Sequence, residues 1–306
     1  MAVCLGIDTS NYTTSLALVK NGQVTANLKK SVYVGENERG VRQSDALFCH
    51  VKNLPALFEE LGALPALDAV GWSSRPRDVE GSYMPCFLAG ELAGRALAAN
   101  RGIGGFPFSH QAGHLRAALY SAGAEELTRA PFLAFHVSGG TTEMLLVREG
   151  RIEKIGGTVD LTAGQAIDRV GVYLGMRFPC GPEMEKAAAG CTPPKARISV
   201  KGTECNLSGV ENLARKMADG GAPKGETAAF VIEFIRATLE KLTENAFLAY
   251  GEMPVVYAGG VMSCSIVRRS LQRKFHAYFA EPAFSSDNAA GTALLCHDAF
   301  TRGEKE

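Results

Sequence analysis

Two stretches of the chain share one pattern of hydrophobic and polar positions. Residues 3–19 run apolar up to Asp8, turn through small and hydroxylic residues, then resume an alternating apolar run. This is the pattern of a β-hairpin with a hydrogen-bonding tip. Residues 131–147 repeat it around Ser138-Gly139-Gly140-Thr141-Thr142. Two such hairpins, each opening about half of the chain, predict a duplication into two lobes, 1–128 and 129–306. Between them the pattern predicts a helix over 44–62, with Ser44 as N-cap and Pro55 as a kink or break. A strand at 68–73, a small-residue helix over 85–100 opening on Pro85, and a helix over 109–121 follow. The second half predicts a helix over 162–175 and a turn at Phe178-Pro179-Cys180-Gly181-Pro182 leading into a helix from Glu183. Phe230, Ile235, Leu239, Leu242, Ala246 and Leu248 keep near-helical spacing over 226–250. A strand at 254–258, a helix over 263–276 and a closing helix over 287–302 complete the series. Strands alternating with helices define an α/β fold class.

Composition narrows the picture. With 306 residues, 46% of them hydrophobic, the chain can fill a real core, and disorder is disfavoured. No stretch approaches the roughly 20 apolar residues of a membrane span. The opening MAVCLGIDTS lacks a basic region before its apolar run, so no signal peptide, no membrane partner and a cytoplasmic location are expected. Eight cysteines without a CxxC pair read as reduced thiols. The 32 basic residues balance 32 acidic ones, which argues against a general nucleic-acid coat and leaves room for a local basic patch.

Candidate chemistry sits at the turns. Glycines in Ser138-Gly139-Gly140 let backbone N–H groups converge on an anion, and Thr141 and Thr142 add hydroxyls. Paired with the first hairpin, the turn suits a nucleotide's phosphates held between lobes. Gly259-Gly260, where a strand meets a helix, allows a flat nucleoside to approach, or simply makes a tight connection. His110 and His114, at i and i+4, share a helix face and can reach one metal ion, with Asp287 as a third ligand. The plain alternatives are surface histidines and an ordinary N-cap. His50, His136, His276 and His297 lack such partners and read as structural. Asp168, inside an apolar helical run, and Asp160 before it are read as ribose ligands or as salt-bridge partners.

Taken in order, these motifs resemble the tRNA N6-adenosine threonylcarbamoyltransferase family, formerly described as O-sialoglycoprotein endopeptidases. The resemblance runs from Gly6-Ile7-Asp8-Thr9-Ser10 through His110-Gln111-Ala112-Gly113-His114, Ser138-Gly139-Gly140 and Ala163-Gly164-Gln165-Ala166-Ile167-Asp168. It continues through Pro179-Cys180-Gly181-Pro182, Ser208-Gly209 and Ala258-Gly259-Gly260-Val261 to Asp287-Asn288-Ala289. It implies an actin-like, two-lobed ATPase fold, and an iron or zinc ion on His110, His114 and Asp287. It also implies ATP or an adenylate, with magnesium, against Ser138, Gly139, Gly140, Asp168, Gly181, Glu185, Gly259 and Gly260. Asp8 is the implied acid/base or positioning group. The reaction implied is transfer of a threonylcarbamoyl group from its adenylate to N6 of the adenosine 3′ of the tRNA anticodon, with accessory proteins of that pathway as partners. A peptidase reading fails, because Gln111 stands where zinc proteases place their general-base Glu.

The chain departs from the family pattern at Tyr12 and Thr13 (usually Asp-Glu), Thr141 (His), Asp160-Leu161-Thr162 (Asp-Asp-Ala), Glu211 (Lys) and Cys264 (Asn). These changes keep two alternatives open. One is a divergent paralogue carbamoylating another acceptor; the other is a non-catalytic nucleotide-binding partner subunit.

Overall fold

The computed structural model describes residues 2–10, 12–32, 42–285 and 289–304. Its first elements are β1 (Val3–Ser10), β2 (Thr13–Lys20), β3 (Gln23–Ser31), α1 (Gln43–Leu61), β4 (Ala69–Arg75), α2 (Leu88–Arg101), β5 (Gly104–Ser109) and α3 (His110–Ser121). Next come β6 (Phe132–Val137), β7 (Thr142–Arg148), β8 (Arg151–Thr158), α4 (Ala163–Tyr173), α5 (Gly181–Ala188), β9 (Ser199–Lys201), β10 (Glu204–Asn206) and α6 (Ser208–Asp219). The last are α7 (Lys224–Tyr250), β11 (Val255–Ala258), α8 (Ser265–Lys274), β12 (Ala277–Phe279), α9 (Pro282–Ser285) and α10 (Ala290–Arg302).

The duplication is written in the sheet orders. The first sheet runs β3-β2-β1-β4-β5 and the second β12-β11-β6-β7-β8-β10-β9. In the first, an antiparallel meander β1-β2-β3 continues through parallel β4 and β5. The second repeats this with β6-β7-β8 antiparallel and β11 and β12 parallel, and β10 and β9 extend it. The fold is therefore a duplicated α/β architecture.

One compact unit comprises Met1–Ser121 with Ala283–Glu306, the other Ala122–Pro282. The C-terminal helix, expected in the second lobe, thus belongs to the first unit. The reason is a groove of small residues. Gly6 and Gly71 are register partners on β1 and β4, and α10 lies directly on both. A Cβ on Gly6 would stand 2.4 Å from the Ala293 nitrogen, and one on Gly71 2.8 Å from Cys296 Cβ. On the opposite face, Leu5, Ile7, Leu16, Val70 and Trp72 form a core with Leu54 and Leu57 of α1 and Ala89 of α2. Alternation along β1 thus sends odd positions to α1 and α2, and even positions, Asp8 among them, to the α10 side. In the second unit, Leu133, Phe135, Val137, Met144 and Leu146 pack on apolar residues of α4 through α8.

Several predicted boundaries shift. The first helix is N-capped by Arg42 without a side-chain hydrogen bond, and Ser44 Oγ instead donates to Asp45 Oδ1 at 3.3 Å. Pro55 does not break it: α1 continues to Leu61, anchored by buried Leu54 and Leu57 on either side. Pro85 opens a short 3-10 turn, Pro85–Phe87, before α2. Helix α5 begins at Gly181, so Glu183 lies in its first turn. No helix among the described residues is long and apolar enough to cross a membrane.

Candidate functional site

In the first unit, β5 passes directly into α3, so His110 is the first helical residue. Ser109 fixes this start: its Oγ accepts the Ala112 N–H at 3.1 Å and donates to Asp78 Oδ2 at 2.7 Å. The Gln111 N–H donates to the Pro76 carbonyl at 3.0 Å, pinning the loop after β4 to the same helix end. One turn on, His114 brings its Nε2 to 2.9 Å from His110 Nε2. Asp8, fully buried, meets His110 Nδ1 through Oδ1 at 3.0 Å.

That contact assigns the tautomer. A carboxylate accepts, so His110 carries a proton on Nδ1 and turns Nε2 toward His114. Carboxylate-backed imidazoles of this kind are the usual support of metal-ligating histidines. Among the described residues no three His, Cys, Asp or Glu side chains gather as a metal site. Asp287, the expected third ligand, lies outside the described residues.

His50, read as structural, is fully buried with Nδ1 2.8 Å from Thr14 Oγ1. Burial lowers its pKa more than nearby Asp8 and the Ser10 backbone raise it, so the ring is neutral. Burial, with Asp8 adding to it, pushes the Cys86 thiol up to about 12, which removes it as a nucleophile.

In the second unit, the glycine turn closes the β6–β7 hairpin. Ser138 N–H donates to the Thr141 carbonyl at 2.7 Å, and Thr141 N–H donates to Ser138 Oγ at 3.1 Å. The N-terminus of α4 is stapled to this turn. Thr162 Oγ1 accepts the Gln165 N–H as N-cap and donates to the Gly139 carbonyl at 2.8 Å, while Gly164 N–H reaches the Ser138 carbonyl at 3.2 Å. Only a glycine fits at 164, since a Cβ there would stand 2.6 Å from Gly139 Cα. Gly259, at φ 101°, presses equally closely on the Val137 carbonyl, which brings the β11 turn beside the glycine turn.

Gly139 and Gly140 differ from these. Neither has a positive φ, both are exposed, and an added Cβ on either meets nothing within 4 Å. Among the described residues no backbone acceptor takes their N–H groups. No packing contact among the described residues requires glycine at either position. Gly140→Ala is expected to leave Tm within about 1 °C, as a surface change does, yet to weaken ATP or AMP binding severalfold by calorimetry.

The remaining expected nucleotide ligands have jobs inside the protein. Asp168 Oδ1 accepts the Cys180 N–H at 2.8 Å and anchors the Phe178–Pro182 turn. Glu185 Oε1 accepts from both Ser265 N–H and Ser265 Oγ, at 2.8 and 2.6 Å, capping α8. Gly181 opens α5 with free space around it.

Asp160 caps α6 from outside, accepting from Leu207 N–H, Ser208 N–H and Ser208 Oγ at 2.8, 3.1 and 2.6 Å. Burial alone would raise its pKa, but the hydrogen bonds from Ser208, Leu207 and Leu161 outweigh this and hold it well below the ordinary aspartate value. A depressed folded pKa contributes stability above the unfolded value, lost as pH falls from about 4 through the folded pKa. Asp160→Ala is therefore expected to cost about 1 kcal/mol at pH 7. In urea melts, the gap from wild type should close as the pH drops below about 4. Glu211, where the family carries a lysine, pairs with Arg169 at 3.3 Å and Arg215 at 2.7 Å, so the reversed charge is neutralised locally.

The duplicated sheets and the glycine turn place the chain among proteins of the actin-like ATPase fold. Full-length HypF in a phosphate- and nucleotide-bound form superposes with a TM-score of 0.63 at 13% identity, over 100% of this chain and 56% of that one. A ROK family glucokinase from Streptomyces griseus gives 0.54 at 11% identity, over 97% of this chain and all of the kinase. At such identities the likeness is one of fold. The family follows from sequence: the tRNA N6-adenosine threonylcarbamoyltransferase model matches residues 30–294, and the chain belongs to that family. The relative of that name from Thermus thermophilus is 32% identical over 317 residues, covering 98% of this chain and 93% of its own length. The one from Pyrobaculum calidifontis is 28% identical over 312 residues, covering 98% and 89%.

Proposed function

We propose that this chain transfers a threonylcarbamoyl group from its adenylate to N6 of the adenosine 3′ of a tRNA anticodon. The observation that carries the reading is the Asp8–His110–His114 relay, found in a chain that belongs to this family. The donor set fits a divalent iron or zinc ion: two imidazole nitrogens converge, one of them fixed by a buried carboxylate, and Asp287 is the third ligand in this reading. When bound, such an ion polarises the carbamoyl oxygen.

The chain's own residues do the rest. Asp8 acts as a positioning group, because its Oδ1 is engaged in orienting His110. The N–H groups of Gly139 and Gly140 would hold phosphate oxygens, whose charge a magnesium ion would help to neutralise, and Gly259-Gly260 would leave room for the nucleoside. The N6 amine forms the new C–N bond, the carbonyl–phosphate C–O bond breaks, and AMP leaves with the electron pair while N6 loses a proton.

The test is incubation with threonylcarbamoyl-adenylate, unmodified tRNA and the pathway's accessory proteins. N6-threonylcarbamoyladenosine in the nucleoside digest is the expected product. A threonylcarbamoylated product formed on a small amine or free nucleoside added in place of tRNA, with none on tRNA, would instead favour a different acceptor. That second reading draws on Tyr12, which stands 46% exposed at the first hairpin's tip where the family places an acidic residue.

A further inference from the structure

Between Lys186 and Gly202 the sequence carries four basic residues, Lys186, Lys195, Arg197 and Lys201, and no Asp or Glu. The last three fall on alternate positions. Lys195, Arg197, Ser199 and Lys201 are exposed, while Ala196, Ile198 and Val200 pack against the core of the second unit. The segment ends in β9, the edge strand of the seven-stranded sheet, and Asn245 of α7 holds the following turn through the Gly202 carbonyl at 2.6 Å. None of the three cations makes an ion pair or side-chain hydrogen bond among the described residues. Glu204 lies opposite Lys201 in the β9–β10 register and still forms no ion pair with it. Some other cations of the unit, Arg169, Arg177, Arg215, Arg236, Lys241 and Lys274, pair with carboxylates, while others, such as Arg148, Arg151 and Arg273, do not among the described residues.

We propose that Lys195, Arg197 and Lys201 form a rail for the phosphate backbone of the RNA substrate; the assignment rests on the tRNA reading above. Only Ser199–Lys201 is strand, with Lys195 and Arg197 on the chain leading into it. At an extended rise of roughly 3.3 Å per residue, Lys195 to Arg197 is one outward step of about 6.6 Å and Arg197 to Lys201, across Ser199, is two. One such step is close to that between phosphates along a nucleic-acid strand. The backing of Ala196, Ile198 and Val200 keeps the three side chains on one side, so the charges are presented in a row. Unpaired cations release counterions on binding without first breaking an internal ion pair. A chain with no net charge can in this way still hold a polyanion. Lysines on an edge strand also deter strand pairing between molecules, and the experiment separates the two roles.

Anisotropy titrations would measure the Kd of full-length protein for an unmodified tRNA transcript across a salt series. The triple variant Lys195→Ala/Arg197→Ala/Lys201→Ala is compared with wild type and with the charge-conserving Lys195→Arg/Arg197→Lys/Lys201→Arg. Three contacts at about 0.7 each should lower the slope of log K against log salt by about 2, which is about a hundredfold in Kd at about 0.1 M salt. The charge-conserving variant should keep the wild-type slope, and thermal melts should show all three proteins folded. If the alanine variant binds tRNA with the wild-type slope, whether or not it aggregates, the rail is overturned and the activity reading stands. If wild type binds no tRNA even at low salt, the rail and the tRNA reading both fall.

Discussion

His114→Ala is expected to lower threonylcarbamoyl transfer to tRNA by about a hundred- to a thousandfold, the range seen when one transition-state electrophile is lost. This is the cleaner of the two histidine substitutions. Removing His110 would take a partner from Asp8, which is fully buried, and a loss of activity could then follow from a loss of fold. Removing His114 leaves the Asp8–His110 contact of 3.0 Å and the Ser109 cap in place. What disappears is the second Nε2, one of the two imidazole nitrogens that this reading gives to the metal. Zinc binding followed by competition with a chromogenic chelator should weaken in parallel with activity. A variant that keeps its turnover would remove the histidine pair from the chemistry.

The second large effect is structural. A Cβ at Gly291 would lie 1.8 Å from the Gly113 carbonyl oxygen, and Gly113 sits between the two histidines on α3. Backbone cannot swing aside as a side chain can, so α10 and α3 must separate. The same helix α10 is already seated on Gly6 and Gly71, which leaves little room for it to retreat. Gly291→Ala should therefore destabilise the first unit by about 3 kcal/mol, the upper end for overpacking. At about 2–4 °C per kcal/mol, that is a drop in Tm on the order of 10 °C. Calorimetry would read it directly. Gly209→Ala, whose Cβ would meet nothing within 4 Å, is the matched control and should barely move Tm.

Local pattern made much of this fold legible. Both hairpins show because period-two alternation flanks turn residues, and the repeat of that unit foretold the repeated sheet order. Strand β5, GGFPFS, escaped because glycine and proline hide its alternation. Helix α6 also escaped, with Ser208-Gly209 entering only as a family motif, since its short amphipathic run lies among loops. Non-local facts were not readable. Nothing near residue 290 says that it lies against Gly113, or that β1 and β4 each supply a glycine beneath it. For the same reason Asp160 reads as a ribose ligand or a salt-bridge partner, when it caps a helix about fifty residues downstream. The His110–His114 pair was legible from spacing, whereas its support by Asp8, about a hundred residues away, appears only in the fold.

The most direct measurement is nucleoside analysis of tRNA from cells whose own family member has been replaced by this gene, with the His114→Ala form alongside. The account predicts N6-threonylcarbamoyladenosine in the wild-type digest and at most a trace with His114→Ala. Viable cells expressing the folded wild-type protein, with that nucleoside absent from their tRNA, would contradict it.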